Sequence, residues 1–527
     1  MATVKTKTKP RQDVKQAKLA GHSLAERAAA LITPVNLGIG VIVLLGVALR
    51  AYHISEPFGG YHAFNEGFYL ETAEKSLNKG IFSILFSPAD YNNPPLYSLL
   101  LLISFKLFGL SEASARIVSV LASGLTIAYL FKLGKLAYNE KIGFMAAVIF
   151  AFMPGAVLVG RNVQLEPVLI LLIVASIHYY IRGTREKNLV LAGAGGALLG
   201  LGLITKLPAV LIVPGLAAWE IWRTRGFGWI KQRSALVFFG AFALVGLPWY
   251  LIQVIANAGT FLGAQAHLAS TLQVPDAFFL RYNFYEEILW MLSPLVFVAF
   301  LMSVAWMLYR RQGADKLVLV MAATFIAFYC FYHFHTYYII PLAPFAAMAV
   351  ARGLYSINLK SWKPILWAML GTAAILFFFS FVLLGGQKFG KNGIVYVERQ
   401  AGVDPSKLTI EAGGSAMGNY GPVLTYYTKQ ARLINYPPAA NEAPRKGDFV
   451  VILDSADASY PGVVPFKHLM DTDYRLVLFG YAFEQIPPRR HMFMNGPITA
   501  QRVGSFFDFG VDVRRSPSSF ALYLPKE

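Results

Sequence analysis

Long apolar runs dominate the first three quarters of this 527-residue chain. Charged residues make up only 14% of it, against roughly a quarter in a typical soluble domain. A helix needs about 20 apolar residues to cross a bilayer, and tilting or local thinning accommodates shorter ones. About eleven runs meet this requirement, near residues 36–52, 112–134, 142–159, 163–181, 188–204, 207–222, 234–256, 286–309, 317–331, 336–351 and 364–385. The sequence therefore predicts a polytopic α-helical membrane protein.

The lysines and arginines between the runs indicate how the chain is oriented, because cytoplasmic loops carry an excess of these residues. Suppose that the basic N-terminus is cytoplasmic and that the ambiguous run Pro95–Leu110 does not cross. Most basic loop residues then fall on the side of the N-terminus, whereas a crossing would reverse the bias. We therefore expect Pro95–Leu110 to lie in or dip into the outer interface. The net charge of +18 then reflects topology and argues against a nucleic-acid partner.

Composition divides the chain into three parts. Residues 1–35 are basic and polar and read as a disordered cytosolic tail. Residues 36–388 form the transmembrane module, with a long outer loop at 53–111. From residue 389 onward Gly, Pro, Asp, Asn and Tyr become frequent, and the alternating runs Phe449–Leu453 and Tyr474–Phe479 are typical of strands. We expect residues 389–527 to form a soluble α/β domain on the extracytoplasmic side.

Three ionisable residues stand out because charges at membrane depth are costly and often functional. Glu66 would begin a helix that lies along the membrane surface, where the helix dipole favours a carboxylate. Glu166 precedes Pro167, which suits the first turn of a helix. Lys206 interrupts an otherwise apolar stretch. Each also has a structural interpretation: both acids could simply start helices, with Glu166 paired to Arg161, and Lys206 could mark a turn.

The histidines are less informative. His333 and His335 at the outer end of a span could be interfacial aromatics, phosphate ligands or a weak metal pair, and His267 stands alone. The sequence contains no Cys/His metal spacing, no Gly-rich phosphate loop and no serine nucleophile elbow.

Several segments together resemble a known superfamily. Glu66 follows the first apolar run, and Glu166 comes 100 residues later. The segments that accompany these two acids are Phe108–Arg116, Pro154–Arg161, Leu203–Lys206 and Tyr337–Pro344. Residues 36–355 thereby resemble the GT-C glycosyltransferases that use polyprenyl-phosphate sugars, the superfamily of protein O-mannosyltransferases and lipid A aminoarabinose transferases.

The resemblance implies roles for individual residues. The family usually has an Asp-Glu pair in the first outer loop, with an acid there as general base. Here the pair is Asn65 and Glu66, so Glu66 takes the role of base. Lys206 is expected to hold the lipid phosphate, helped by Arg161 or His335. Asn65 and Glu166 would orient the acceptor or the sugar.

Three further positions follow from the same resemblance. Asn93 stands where some members place a basic residue against the phosphate. Tyr338 is expected near the head of the lipid. His267 could correspond to a metal ligand of some members, so a divalent metal stays possible and no cofactor is certain.

The activity implied is inverting transfer of a sugar from a dolichyl or undecaprenyl phosphate to a hydroxyl of a protein, lipid or glycan on the outer face. Two alternatives stay open. The chain could be a transporter or flippase of lipid-linked sugars, although it lacks the two related halves common in transporters. It could also be a non-catalytic subunit that binds a lipid-linked sugar.

Overall fold

A computed structural model of the chain describes the helical part from residue 33 to residue 356, with gaps, and five strands further on. The described residues are 33–52, 54–55, 63–80, 84–85, 94–272, 288, 291–310, 313–330, 336–356, 371, 408–413, 432–436, 449–454, 474–481 and 519–525. The predicted tail at 1–35 and the run at 364–385 lie almost wholly outside them.

Thirteen α-helices are numbered here in chain order. α1 to α7 are Pro34–Ala51, Ala63–Lys79, Leu96–Phe108, Glu112–Ala137, Glu140–Phe152, Pro154–Gly160 and Glu166–Glu186. α8 to α13 are Leu189–Leu203, Ile212–Thr224, Arg233–Leu272, Pro294–Arg310, Asp315–Tyr329 and Ala343–Ser356. Three 3₁₀ segments, Leu207–Leu211, Gly228–Lys231 and Thr336–Leu342, lie between them.

The helices fit a polytopic membrane protein. Within the described part of the chain, five helical segments are long and apolar enough to cross a bilayer: Pro34–Ala51, Glu112–Ala137, Glu166–Glu186, Arg233–Gly263 and Tyr338–Ser356. The pair α5 and α6, bent by 62°, would make a sixth. Other apolar helices, such as α8, are shorter than this criterion. The count of about eleven spans therefore stays a prediction.

The ambiguous run Pro95–Leu110 forms α3, which is 13 residues long. At 1.5 Å per residue such a helix is about 20 Å long, less than the roughly 30 Å of the hydrocarbon core. Since α8, counted among the predicted spans, is only two residues longer, whether α3 crosses stays a prediction.

Small residues let neighbouring helices approach closely. A Cβ atom on Gly196 in α8 would stand 1.9 Å from the Phe238 carbonyl oxygen in α10. Between α4 and α5, a Cβ on Gly134 would stand 2.6 Å from the Cα of Gly143. Membrane helices associate mainly through such close packing, because lipid tails are as apolar as the side chains. These contacts fix the helices that carry the site.

The predicted surface helix is α2, and it begins at Ala63. Its buried residues include Tyr69 and Leu70, which pack in one apolar cluster with Tyr97 and Leu101 of α3. The rings of Tyr69 and Tyr97 meet edge to face, with centroids 5.4 Å apart. This packing holds the start of α2 against α3.

The five strands form one sheet. In chain order β1 to β5 are Leu408–Gly413, Arg432–Tyr436, Phe449–Asp454, Tyr474–Tyr481 and Ser519–Pro525. Their order in the sheet is β2-β1-β3-β5-β4, with β1 parallel to β2 and β3, and β5 antiparallel to β3 and β4. The two strands expected from the sequence are confirmed as β3 and β4. The segments between the strands lie outside the described residues, so the α/β character of the domain stays a prediction.

Candidate functional site

Glu66 lies in the first turn of α2 and is fully buried. Arg116 of α4 binds it with both arms of the guanidinium: Nε lies 3.0 Å from Oε1 and Nη2 lies 3.2 Å from Oε2. The backbone N–H of Val163 also donates to Oε1, at 3.2 Å. Such a paired carboxylate is strongly held, because charge-assisted bonds in a fork geometry are among the strongest in proteins.

The surroundings of Glu66 bear on its predicted role as a base. Both carboxylate oxygens of Glu66 are engaged by the Arg116 guanidinium. To accept a proton from a substrate, Glu66 would first have to leave Arg116. The role of Glu66 as base therefore stays a prediction. In this structure Glu66 is the charge partner of Arg116, and the pair links α2 to α4.

Glu166 has different surroundings. It stands in the first turn of α7 beside Pro167 and is 1% exposed. Its Oε1 accepts from Lys206 Nζ at 2.5 Å, across from the turn that follows α8. Its Oε2 is buried and has no hydrogen-bond partner among the described residues. A buried carboxylate oxygen without a donor is costly and marks a candidate functional group.

The alternative interpretation paired Glu166 with Arg161, whereas the structure pairs it with Lys206. The Arg161 guanidinium instead donates from Nη2 to the Tyr52 carbonyl oxygen, at 2.8 Å. The turn after α8 brings the ammonium group of Lys206 to Glu166.

Lys206 is the more accessible partner of this second ion pair, with 18% of its side chain exposed. Its ammonium also stands over the ring of Tyr338, 4.0 Å from the centroid. Tyr338 belongs to the 3₁₀ segment Thr336–Leu342. The Lys206 ammonium is thus held between an aromatic face and a carboxylate, and its side chain is still partly exposed. The structure thus brings together three predicted residues: Glu166, Lys206 and Tyr338.

The turn at residues 161–166 connects the two ion pairs. Val163 donates to Glu66, and Glu166 accepts from Lys206. Between them, the Gln164 carbonyl accepts from the Ser119 hydroxyl at 3.1 Å, and Ser119 also bonds the hydroxyl of Tyr97 at 3.0 Å. Residues of α2, α4 and the turn after α8 thus each bond directly to this short segment, and Tyr97 of α3 supports it through Ser119.

Sequence reasoning missed some of these residues as members of the site. Arg116, Ser119 and Tyr97 are all buried at this junction. Arg116 carried a signal, because it is an ionisable residue within an apolar run. Ser119 and Tyr97 carried no such signal, because uncharged hydroxyl residues do not stand out in an apolar run.

Other predicted site residues fall outside what the structure describes. Asn93 and His335 are among the residues left out, and so are the side chains of Asn65 and His267. Among the described residues, no three His, Cys, Asp or Glu side chains gather as a metal site would require. The described part of the chain therefore presents no candidate metal centre.

The sequence matches a family over part of its length. Residues 92–252 match the model of the family described as dolichyl-phosphate-mannose-protein mannosyltransferase. This stretch contains Arg116, Glu166 and Lys206 and covers less than half of the chain. No curated protein matches the sequence.

The fold is similar to that of two solved structures. One is ArnT from Cupriavidus metallidurans bound to undecaprenyl phosphate, with a TM-score of 0.60 and 12% identity over 92% of this chain and 97% of that chain. The chain has the GT-C fold. The second GT-C structure is the Archaeoglobus fulgidus oligosaccharyltransferase AglB in complex with an inhibitory peptide and a dolichol-phosphate. It has a TM-score of 0.53 and 12% identity over 80% of this chain and 69% of that chain.

The shared fold and the family match over residues 92–252 agree with the resemblance seen in the sequence. At 12% identity the GT-C structures speak for the fold and leave the substrates open. The side chains of this chain therefore carry the information on its reaction and substrates.

Proposed function

We propose that this protein is a membrane glycosyltransferase that moves a sugar from a polyprenyl phosphate to a hydroxyl acceptor, with inversion at the anomeric carbon. The observation that carries the proposal is the buried Glu166 beside the part-exposed Lys206. Together they offer a cation for a phosphate and a carboxylate oxygen with no donor of its own. The family match over both residues supports the same chemistry.

The cation serves the leaving group. When the bond from the sugar to the phosphate breaks, negative charge develops on the phosphate oxygen. A fixed positive group at that oxygen lowers the barrier, because it is stabilising mainly where charge appears. Lys206 is that group, and Tyr338 holds it in place. Arg161 and His335 are proposed to assist, and Asn93 to contact the phosphate.

The acid serves the acceptor. A hydroxyl attacks the anomeric carbon more readily when a nearby carboxylate takes its proton. The site contains two carboxylates at helix starts, Glu66 and Glu166, with Asn65 next to the first. Glu66→Gln tests the base role inferred from the resemblance: a base variant loses transfer and still binds the donor. Unchanged glycan product from Glu66→Gln would remove that role.

A lipid-linked donor is supported by the structures that share the fold. One was solved with undecaprenyl phosphate and another with a dolichol-phosphate. A lipid tail also suits a protein whose described helices are largely apolar on the outside, such as α1 with Leu37 and Leu44 exposed. The tail would lie against the spans with the phosphate at Lys206.

The site is proposed to face the extracytoplasmic side, with a cytoplasmic N-terminus. Gly228, in the 3₁₀ segment before α10, and Gly263, at the end of the apolar part of α10, are both exposed with open space around them. The predicted topology puts them on opposite sides of the membrane. Cys330, the single cysteine of the sequence, is first replaced by Ser. In that background a membrane-impermeant thiol reagent added to intact cells is expected to label Gly263→Cys and not Gly228→Cys. The reverse pattern would invert the topology.

The direct test of the function compares cells with and without this protein. Mass spectrometry of glycoproteins, glycolipids and glycans is expected to show one sugar missing from one class of acceptor when the gene is deleted. The same sugar should accumulate on its polyprenyl phosphate, and plasmid-borne protein should reverse both changes. Identical glycan profiles in both strains would contradict the proposal.

A further inference from the structure

Glu166 forms an ion pair with Lys206, the cation proposed to bind the phosphate of the sugar donor. Its Oε1 lies 2.5 Å from Lys206 Nζ, and the carboxylate is 1% exposed while the lysine side chain is 18% exposed. A phosphate that approaches Lys206 from solvent therefore meets an ammonium that already has an anion on its buried side. The two anions would share one cation, and each weakens the hold of the other.

The other carboxylate of the site is not in this position. Glu66 is bound by both arms of Arg116 and by the Val163 N–H. Arg116 is buried, and its Nη1 also donates to the Ile54 carbonyl oxygen at 3.1 Å. A donor phosphate has no exposed cation to take from Glu66, so its arrival leaves this ion pair in place.

Glu166 has both features that a regulated proton acceptor requires. One oxygen is held by a cation that a substrate can claim, and the other is buried without a hydrogen-bond donor. While Lys206 pairs with Glu166, its ammonium engages one carboxylate oxygen, and departure of the lysine leaves both oxygens without a donor among the described residues. The change in Glu166 is therefore tied to arrival of the phosphate.

We propose that Glu166 is the general base of this site and that Lys206 restrains it until the donor phosphate draws the lysine away. This inference rests on the proposed function. It adds an order to the reaction, because the base becomes effective only with the donor in place. A polyprenyl-phosphate sugar is thus protected from attack until it is correctly bound.

The step is balanced in atoms and electrons. The acceptor hydroxyl gives its proton to Glu166 Oε2, and its oxygen forms the new bond to the anomeric carbon from the face opposite the phosphate. The bond between the anomeric carbon and the phosphate oxygen breaks, and its electron pair stays on that oxygen beside Lys206. The proton then passes from Glu166 to solvent or to the departing phosphate, and the ion pair re-forms.

The test measures the affinity of the purified full-length protein for undecaprenyl phosphate and for dolichyl phosphate, in nanodiscs of neutral lipid. Glu166→Gln removes the competing anion while keeping the shape of the side chain. We expect the dissociation constant for the preferred lipid phosphate to fall by about tenfold or more, because a like charge within a few ångströms is lost. Sugar transfer should be abolished in the same preparation.

Two controls isolate the effect. The uncharged polyprenol should bind wild type and Glu166→Gln equally, since it places no charge on Lys206. Lys135 and Glu140 form another lysine–glutamate pair of 2.5 Å, on the protein surface. Glu140→Gln should change neither lipid affinity nor transfer.

Weaker or unchanged binding of the lipid phosphate to Glu166→Gln would overturn the restraint, and retained transfer would overturn the role as base. If Glu166→Gln does not fold, Glu166→Asp shortens the reach to Lys206 and is expected to tighten binding and slow transfer in the same way. These outcomes are separate from those of the proposed function, which stands or falls on transfer by the wild-type protein.

Discussion

At the scale of single residues, two acids at helix starts have opposite surroundings. Glu66 is saturated by Arg116 and a backbone N–H, whereas Glu166 keeps one oxygen without a donor. A buried ion pair contributes little net stability compared with apolar residues of the same shape, but breaking one side of it is costly. We therefore expect Glu66 and Arg116 to behave as one unit.

This expectation can be measured by a double-mutant cycle. Glu66→Gln alone leaves the Arg116 charge buried without its partner and should cost about 3–5 kcal/mol of unfolding free energy. Adding Arg116→Met should restore most of that loss, because the stranded charge is removed. Thermal unfolding of the purified protein in detergent, monitored by tryptophan fluorescence, gives the three values.

A matched control is available in the exposed pair Arg182 and Glu186. Glu186→Gln should change the unfolding free energy by no more than about 0.5 kcal/mol, as is usual for surface ion pairs. If Glu66→Gln is equally mild, the pair has no structural role and Glu66 becomes available for catalysis.

The residues of the site could be predicted better than their partners. Glu66, Glu166 and Lys206 stand out because a charge next to apolar runs is rare. Their partners are distant in sequence: Arg116 lies 50 residues from Glu66, and Lys206 lies 40 from Glu166. No periodicity links such positions, so the sequence alone offered Arg161, the nearest cation, as one alternative partner of Glu166.

At the scale of elements, the break between α5 and α6 directs the chain into the site. α5 ends at Phe152, Pro154 starts α6, and the axes of the two helices differ by 62°. The buried Arg50 of α1 donates from Nη1 to the Ala151 carbonyl oxygen at 2.9 Å, which satisfies a carbonyl at the end of α5. The bend then places the turn at 161–166 where four elements hold it.

Close helix packing gives a prediction at the same scale. Gly196→Ala would put a methyl group 1.9 Å from the Phe238 carbonyl oxygen, so α8 and α10 would have to separate. We expect a loss of about 1–3 kcal/mol of unfolding free energy, as for other overpacked contacts. Thermal unfolding and detergent extraction of the folded protein report it.

The control uses a glycine in the same helix pair. Gly240 of α10 has open space where its Cβ would stand. Gly240→Ala should therefore be neutral or slightly stabilising, because alanine is the better helix former. Equal unfolding temperatures for both variants would show that α8 and α10 are not packed as described.

Elements were predictable where the apolar pattern is strong. The run expected near 188–204 is the helix Leu189–Leu203, and the strands at 449 and 474 begin at the expected residues. The sequence missed the break at Met153, since the run 142–159 is apolar throughout and only Pro154 interrupts it. Which shorter helices cross the membrane depends on tilt and local thickness, and composition does not encode these.

At the scale of the whole molecule, the fold collects the ends of several helices around one turn. The α2–α3 pair, the start of α4, the start of α7 and the turn after α8 all contribute side chains there. A site built on helix ends at the edge of a membrane can take its lipid substrate from the bilayer and its acceptor from water. The GT-C fold and the two charge pairs of this chain together give the proposed sugar transfer its physical basis.

The proposed function depends above all on Lys206, which stabilises the phosphate that leaves a lipid-linked sugar. The most direct measurement supplies purified protein in liposomes with polyprenyl-phosphate sugars carrying a labelled sugar, together with an acceptor extract from the source cells. We expect the wild type to release polyprenyl phosphate and to label the acceptor. Lys206→Met should lose at least about 100-fold in rate, the usual effect of removing one charge-stabilising group. Equal rates for the two proteins would contradict it.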